Sequence, residues 1–203
     1  MDREKDEGSA VVLSSKVIAI GASAGGPGIL LGILRQLPAT VPGIVVVQHL
    51  SQGFTAWLSE FLNSQCRIKV KEAANLEPVC NGTVYVASGG THLSIMKGGQ
   101  GYYLKCGGSD LRNGVCPSAD VLFSSAACAG KDGMGIILSG MGRDGADGLF
   151  KMYQAGALTI GQDQASSPVY GMPYEAKKAG AVRIECTPEQ IVDQILSFSG
   201  RED

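Results

Sequence analysis

The sequence predicts an α/β fold in three layers: a doubly wound, mostly parallel sheet with an antiparallel hairpin at one edge. Three observations carry this. The runs Val17-Ile18-Ala19-Ile20 and Ile44-Val45-Val46-Val47 are apolar throughout rather than alternating, as strands buried on both faces are. Segments of helical period alternate with such runs along the chain. Two short extended runs flank the turn Lys97-Gly98-Gly99-Gln100-Gly101, which reads as a hairpin. A chain of 203 residues is long enough for one domain with a three-layer core.

Taken in order, residues 1–15 read as a flexible, solvated tail, and the domain is expected over 16–203. A strand over 17–22 is followed by a helix near 27–37, a strand over 44–49 and a helix near 54–64. In that second helix Phe54, Trp57, Leu58, Phe61 and Leu62 recur at i, i+3, i+4, i+7 and i+8, a stripe expected to face the core, with Trp57 as a packing residue. Extended runs follow at 67–72, 83–86, 92–96 and 102–105. Helical pattern resumes at Ser118 and stops near Gly130. A strand over 135–139 leads to a helix from about 145 to Gly156, where glycine suits the C-terminal cap. Strands near 157–162 and 181–185 precede a last helix opened by Thr187-Pro188-Glu189-Gln190, a cap residue with proline at the first helical position and glutamine at the capping-box position.

Composition excludes several classes. A net charge of -2, with no basic stripe, offers no field for nucleic acid. The charged start Met1-Asp2-Arg3-Glu4-Lys5-Asp6-Glu7 lacks the apolar core of a signal peptide, and no apolar run is long enough to cross a bilayer. The expectation is a cytoplasmic protein without membrane insertion. Six cysteines without a C-x-x-C pair read as reduced thiols, mostly small core residues. With only His49 and His92, no metal site is expected.

Three apolar runs end on different chemistry-bearing residues. The first leads to Ser23 in Gly21-Ala22-Ser23-Ala24-Gly25-Gly26, the second to Gln48-His49, and Ile136-Ile137-Leu138 to Asp144 in Ser139-Gly140-Met141-Gly142-Arg143-Asp144-Gly145. In a parallel sheet all three lie along the edge where ligands bind. A hydroxyl, an imidazole and a carboxylate converging there are the parts of a serine hydrolase triad. The glycine-rich turn allows close approach of a substrate, and the following helix aims free N–H groups at it. Each residue also has a structural reading: Ser23 as a helix cap, His49 as a buried structural histidine, Asp144 as a cap of the next helix. His92, in the expected hairpin, is the rival base, and Asp147 is a rival carboxylate that spacing alone does not separate from Asp144. A dehydrogenase reading rests on Gly21-x-x-x-Gly25 and on Tyr174 and Lys178 at Tyr-x-x-x-Lys spacing. It is disfavoured by Pro27 and by a second strand that ends in Gln48-His49 instead of an acid.

At these residues the chain resembles the catalytic domain of chemotaxis protein-glutamate methylesterases, the CheB type, from about residue 16 to the C-terminus. The resemblance rests on Gly21–Gly26, on Gln48-His49 followed by Gly53-Phe54-Thr55, and on Pro117-Ser118-Ala119-Asp120-Val121-Leu122-Phe123. Ser139–Ala146 and Gly171-Met172-Pro173 complete it. It implies hydrolysis of γ-glutamyl methyl esters on the cytoplasmic helices of chemoreceptors, with release of methanol and, in many members, deamidation of receptor glutamines. It implies Ser23 as nucleophile, His49 as general base and Asp144, over Asp147, as the residue that orients it, with oxyanion donors near Ala24, Gly25 and Met141. No cofactor is implied. The partners implied are the methylated receptor domain and a separate receiver or other chemotaxis protein. Most characterised members carry an N-terminal receiver domain; here a short tail is expected before the domain, as in a single-domain member or a piece of a longer chain. Val115-Cys116 stands where family members tend to have basic residues before Pro-Ser-x-Asp, and Asp163-Gln164 where they usually have an acid at the second position. The competing expectation is a non-catalytic domain that binds a receptor or signalling protein on the same fold.

Overall fold

A computed structural model describes residues 12–200. Seven strands form one sheet in the order β3-β4-β2-β1-β7-β8-β9. They are β1 (Val17–Ala22), β2 (Gly43–Gln48), β3 (Lys69–Glu72), β4 (Thr83–Val86), β7 (Gly133–Ile137), β8 (Leu158–Gln162) and β9 (Ile184–Cys186). Every pairing in this sheet is parallel. The hairpin forms from β5 (Leu93–Gly98) and β6 (Gly101–Cys106), but as a separate two-stranded antiparallel sheet. Instead of extending the main sheet, it bonds to the segment before β4, through Val79 N to Tyr102 O, and to Ser125 Oγ through Ile95 N.

Alternation along the central strands sorts the core into two layers. Ile18, Ile20, Ile44 and Val46 face one cluster, shared with α1 (Gly26–Leu34), α2 (Phe54–Gln65) and α6 (Pro188–Ser199). Val17, Ala19, Val45 and Val47 face the other, with α3 (Ala119–Ala126), α4 (Ala146–Gln154), α5 (Met172–Lys178) and the hairpin. Both clusters are apolar, which is why these strands read as continuous apolar runs. The expected cap of α6 is present: Thr187 Oγ1 accepts from Gln190 N and Gln190 Oε1 accepts from Thr187 N. Gly156 follows α4 at φ 90°, the left-handed position that favours glycine.

One expectation needs correction. The stripe on α2 is split: Leu58 and Leu62 are buried, with Thr55 and Ser59, but Phe54 and Trp57 are 61% and 60% exposed and Phe61 lies at the margin. A five-residue stripe spans more arc than the sheet covers, so its outer edge turns to solvent, where Trp57 and Phe61 stack on each other. The tail expected over 1–15 lies for the most part outside the described residues. Its last described residues are docked: Leu13 bridges to Cys80, and the buried Ser14 accepts from Gly43 N through its hydroxyl.

Helix α3 lies against the end of β1 at a distance that only glycine permits. A Cβ at Gly21 would stand 2.8 Å from Ala119 Cβ and 3.1 Å from the Phe123 ring. Gly21→Ala should therefore cost about 1–3 kcal/mol through overpacking, measurable as a lower urea midpoint with an unchanged m-value.

Candidate active site

Because β1, β2 and β7 are adjacent and parallel, their C-terminal ends share one edge of the sheet. Ser23 leaves β1, His49 leaves β2, and Asp144 lies in the loop from β7 to α4. The chain winds outward from β1 in both directions, so this edge is the topological switch point where such sheets form a crevice.

The backbone of Ser23 is tied to both neighbouring strands. Its N–H donates to Ser139 O at 3.0 Å, while its carbonyl accepts from Gln48 Nε2 at 2.8 Å and Gly26 N at 2.9 Å. Gly26 and Gly140 make room for this arrangement. A Cβ at Gly26 would meet Gln48 Oε1 at 2.3 Å, and one at Gly140 would meet Ser23 Cβ at 2.7 Å. Gly25 takes φ 81° at the start of α1. Among the described residues, Ser23 Oγ and the N–H groups of Ala24, Gly25 and Met141 make no hydrogen bond. Met141 is exposed, and Ala24 and Gly25 lie open beside Ser23. Ser139 Oγ holds the loop before α5 against this turn, donating to Ala24 O and accepting from Val169 N.

His49 is mostly buried and fixed at two points. Its backbone N–H donates to Ala22 O at 3.0 Å, and its Nε2 lies 2.9 Å from Asp144 Oδ2. An ionised carboxylate only accepts, so Nε2 carries the proton and Nδ1 is left with the lone pair. Nδ1 makes no hydrogen bond among the described residues. The usual triad uses the ring the other way round, with Nδ1 toward the carboxylate.

Asp144 is buried and collects donors. Besides His49, it accepts from Ser118 Oγ at 2.7 Å, Ala119 N at 2.6 Å, Asn113 Nδ2 at 3.0 Å and, more distantly, Asp120 N at 3.4 Å. Burial alone would raise its pKa, but the hydrogen bonds from His49, Ser118, Asn113 and Ala119 outweigh that cost and hold it below the ordinary carboxylate range. Ser118 serves twice, because its hydroxyl also caps α3 by accepting from Val121 N. Asp147 points to the surface, where it pairs with Arg143 at 2.9 Å.

His92 is occupied elsewhere. Its Nε2 donates to Asp110 O at 2.7 Å and its Nδ1 accepts from Ser118 N at 3.2 Å, so both nitrogens anchor the loop between β6 and α3. Tyr174 lies edge-on against Tyr170, and Lys177, not Lys178, reaches the neighbouring Glu185. Among the described residues no three His, Cys, Asp or Glu side chains are grouped to hold a metal, and no helix is long and apolar enough to cross a membrane.

Ser118 and Ala119 belong to the Pro117–Phe123 motif, but the motif does not reveal their bonds to Asp144. Asn113 carried no sequence signal beyond its Asn-Gly turn dipeptide.

Residues 18–195 match the CheB methylesterase family. The chain belongs to the CheB methylesterase family. It is 44% identical to protein-glutamate methylesterase/protein-glutamine glutaminase 3 of Shewanella oneidensis over 92% of this chain and 52% of that protein. Against the protein-glutamate methylesterase/protein-glutamine glutaminase of Salmonella typhimurium it is 44% identical over 91% of this chain and 53% of the relative. The crystal structure of the Thermotoga maritima CheB methylesterase catalytic domain superposes with a TM-score of 0.87 at 35% identity, covering 91% of this chain and 99% of that one. The chain thus spans about half the length of the curated relatives it matches, and nearly all of a CheB catalytic domain.

Proposed function

We propose that this domain hydrolyses γ-glutamyl methyl esters on the cytoplasmic helices of chemoreceptors by two-step acyl transfer, with Ser23, His49 and Asp144 as its triad. The observation that carries the reading is a hydrogen-bonded His49–Asp144 pair at the ends of the two strands flanking that of Ser23, whose hydroxyl makes no hydrogen bond among the described residues.

In the first step His49 Nδ1 takes the proton of Ser23 as Oγ attacks the ester carbonyl. The tetrahedral oxyanion is met by backbone N–H groups of Ala24, Gly25 or Met141, beside the start of α1. The ester C–O bond breaks and methoxide leaves as methanol with the proton from His49. Water, deprotonated by the same nitrogen, then attacks the acyl-serine and releases the glutamate carboxylate and Ser23. Asp144 stabilises the imidazolium formed in each step. A glutamine side chain enters the same sequence with ammonia as the leaving group. The double activity in the relatives' names supports that extension. The catalytic domain assigned to this reaction spans residues 16–203.

The test is methanol release from a methyl-labelled receptor cytoplasmic fragment incubated with the purified chain. Release at a rate proportional to enzyme supports the reading. Binding of the fragment without any release would instead favour a recognition domain built on the esterase fold.

A further inference from the structure

Beside the buried Asp144 stands a second, half-buried carboxylate, Asp120, and one amide lies between the two. Residues 112–115 form a tight turn in which Arg112 and Val115 exchange backbone hydrogen bonds of 3.0 and 2.9 Å. At its tip Asn113 and Gly114 have φ 52° and 79°. Asparagine is among the few side chains that tolerate such a conformation, so the turn alone accounts for the residue type. It does not account for where the side chain goes. Asn113 Nδ2 lies 3.0 Å from Asp144 Oδ1 and 2.5 Å from Asp120 Oδ2. A carboxamide has two N–H bonds, and both are spent on carboxylates. The other oxygen of Asp120 accepts from Gly148 N at 2.6 Å.

Two carboxylates sharing a site repel, and one tends to keep a proton. Here the burden is unequal. Burial, together with the charge of Asp144, pushes Asp120 up against the hydrogen bonds from Gly148 and Asn113, whereas Asp144 is held down. The donors thus favour charge on the carboxylate that faces His49.

We infer that Asn113 is a positioning residue, the shared donor between Asp144 and Asp120 that keeps Asp144 ionised and aimed at His49. The inference rests on the hydrolase reading of the site. Asn113 acts through Asp144 and His49 and touches no reacting atom. The loop carrying it is pinned by the His92 ring at Asp110 and Ser118, so the amide is delivered from a fixed base. The charged groups around the cluster are His49 from the β2–α2 loop, Asp120 from α3, the Arg143–Asp147 pair at the start of α4, and Arg112 beside Asn113 in the turn.

Two substitutions separate the amide from the turn, since glycine and aspartate both accept a positive φ. Asn113→Asp places a third carboxylate against the other two, and its charge favours a protonated His49. The acid limb of the pH–kcat profile for methanol release should move up by about one pH unit, with KM unchanged within about twofold. The midpoint of the His49 imidazole titration, followed by NMR in a chain with only two histidines, should move the same way. Asn113→Gly should lower kcat about tenfold, again without a change in KM. A residue that only shapes the turn would leave the limb and the midpoint where the wild type has them; that result overturns the inference. The NMR arm does not depend on turnover. If the wild type releases no methanol and the midpoint still moves in Asn113→Asp, the hydrolase reading fails and the coupling stands. If methanol is released and the midpoint stays, Asn113 is structural.

Discussion

Ser23→Ala should reduce methanol release by about 10⁶-fold while leaving the fold intact, because members of a triad act as a unit. The physical basis is that the substitution removes only Oγ. That oxygen has no hydrogen-bond partner among the described residues, so nothing buried is orphaned. The backbone bonds to Ser139, Gln48 and Gly26 remain, and Cβ keeps its place against Gly140. Thermal unfolding should then differ from wild type by no more than about 0.5 kcal/mol. Folded protein with residual turnover within tenfold of wild type would assign the attack to another group. A large loss of stability would mean that Ser23 has a packing role its contacts do not show.

Asp144→Asn carries the second largest effect, in both activity and stability. An amide at this position offers one acceptor where the carboxylate offers two, and its NH₂ group must face existing donors: the Asn113 amide and Ser118 hydroxyl on one side, or His49 and Ala119 N on the other. The imidazole then loses the partner that fixes its Nε2–H tautomer, and kcat should fall about 10⁴-fold. At neutral pH the variant should be destabilised by about 3 kcal/mol, since buried donors are left unmatched. The pH dependence has a definite sign. The carboxylate of Asp144 is held below its ordinary range in the folded chain. Its contribution is therefore fully present above the unfolded carboxylate pKa, and it is lost as pH falls through the folded value. The stability gap between wild type and Asp144→Asn should be widest near neutrality and should narrow on acidification below the ordinary carboxylate range. A gap independent of pH would show that the charge of Asp144 is not what the surrounding donors stabilise.

Much of this architecture was legible because burial on both faces leaves a plain mark in sequence. Runs such as Ile44–Val47 have no polar face, and that fixes central parallel strands and the common edge where Ser23, His49 and Asp144 emerge. The cap of α6 was legible because it is local chemistry over four residues. What stayed hidden depends on contacts between segments far apart in the chain. Spacing could not rank Asp144 above Asp147, since only the folded loop shows one buried under five donors and the other paired with Arg143 at the surface. Asn113 reads as turn chemistry until its amide is seen between two carboxylates. The α2 stripe misled for the opposite reason: aromatic residues at helical spacing report a potential to bury surface, and Trp57 does not use it against the sheet. The hairpin was recognised by its turn, but its own ladder carries no information about which neighbour it joins.

The central position of β1 has a consequence for the newly made chain. Its partner β2 is available once Gly43–Gln48 has been synthesised, but the partner of its other edge, Gly133–Ile137, comes far later in the chain. Until then a nascent polypeptide exposes an unsatisfied apolar strand edge, the kind of surface that recruits chaperones or templates aggregation. The same interval separates the serine and the imidazole from the carboxylate. A ribosome-bound or truncated product ending before β7 therefore holds Ser23 and His49 of the proposed triad and lacks the Asp144 carboxylate. Esterase activity should appear only when the second half of the sheet docks, so that hydrolysis itself reports completion of the fold.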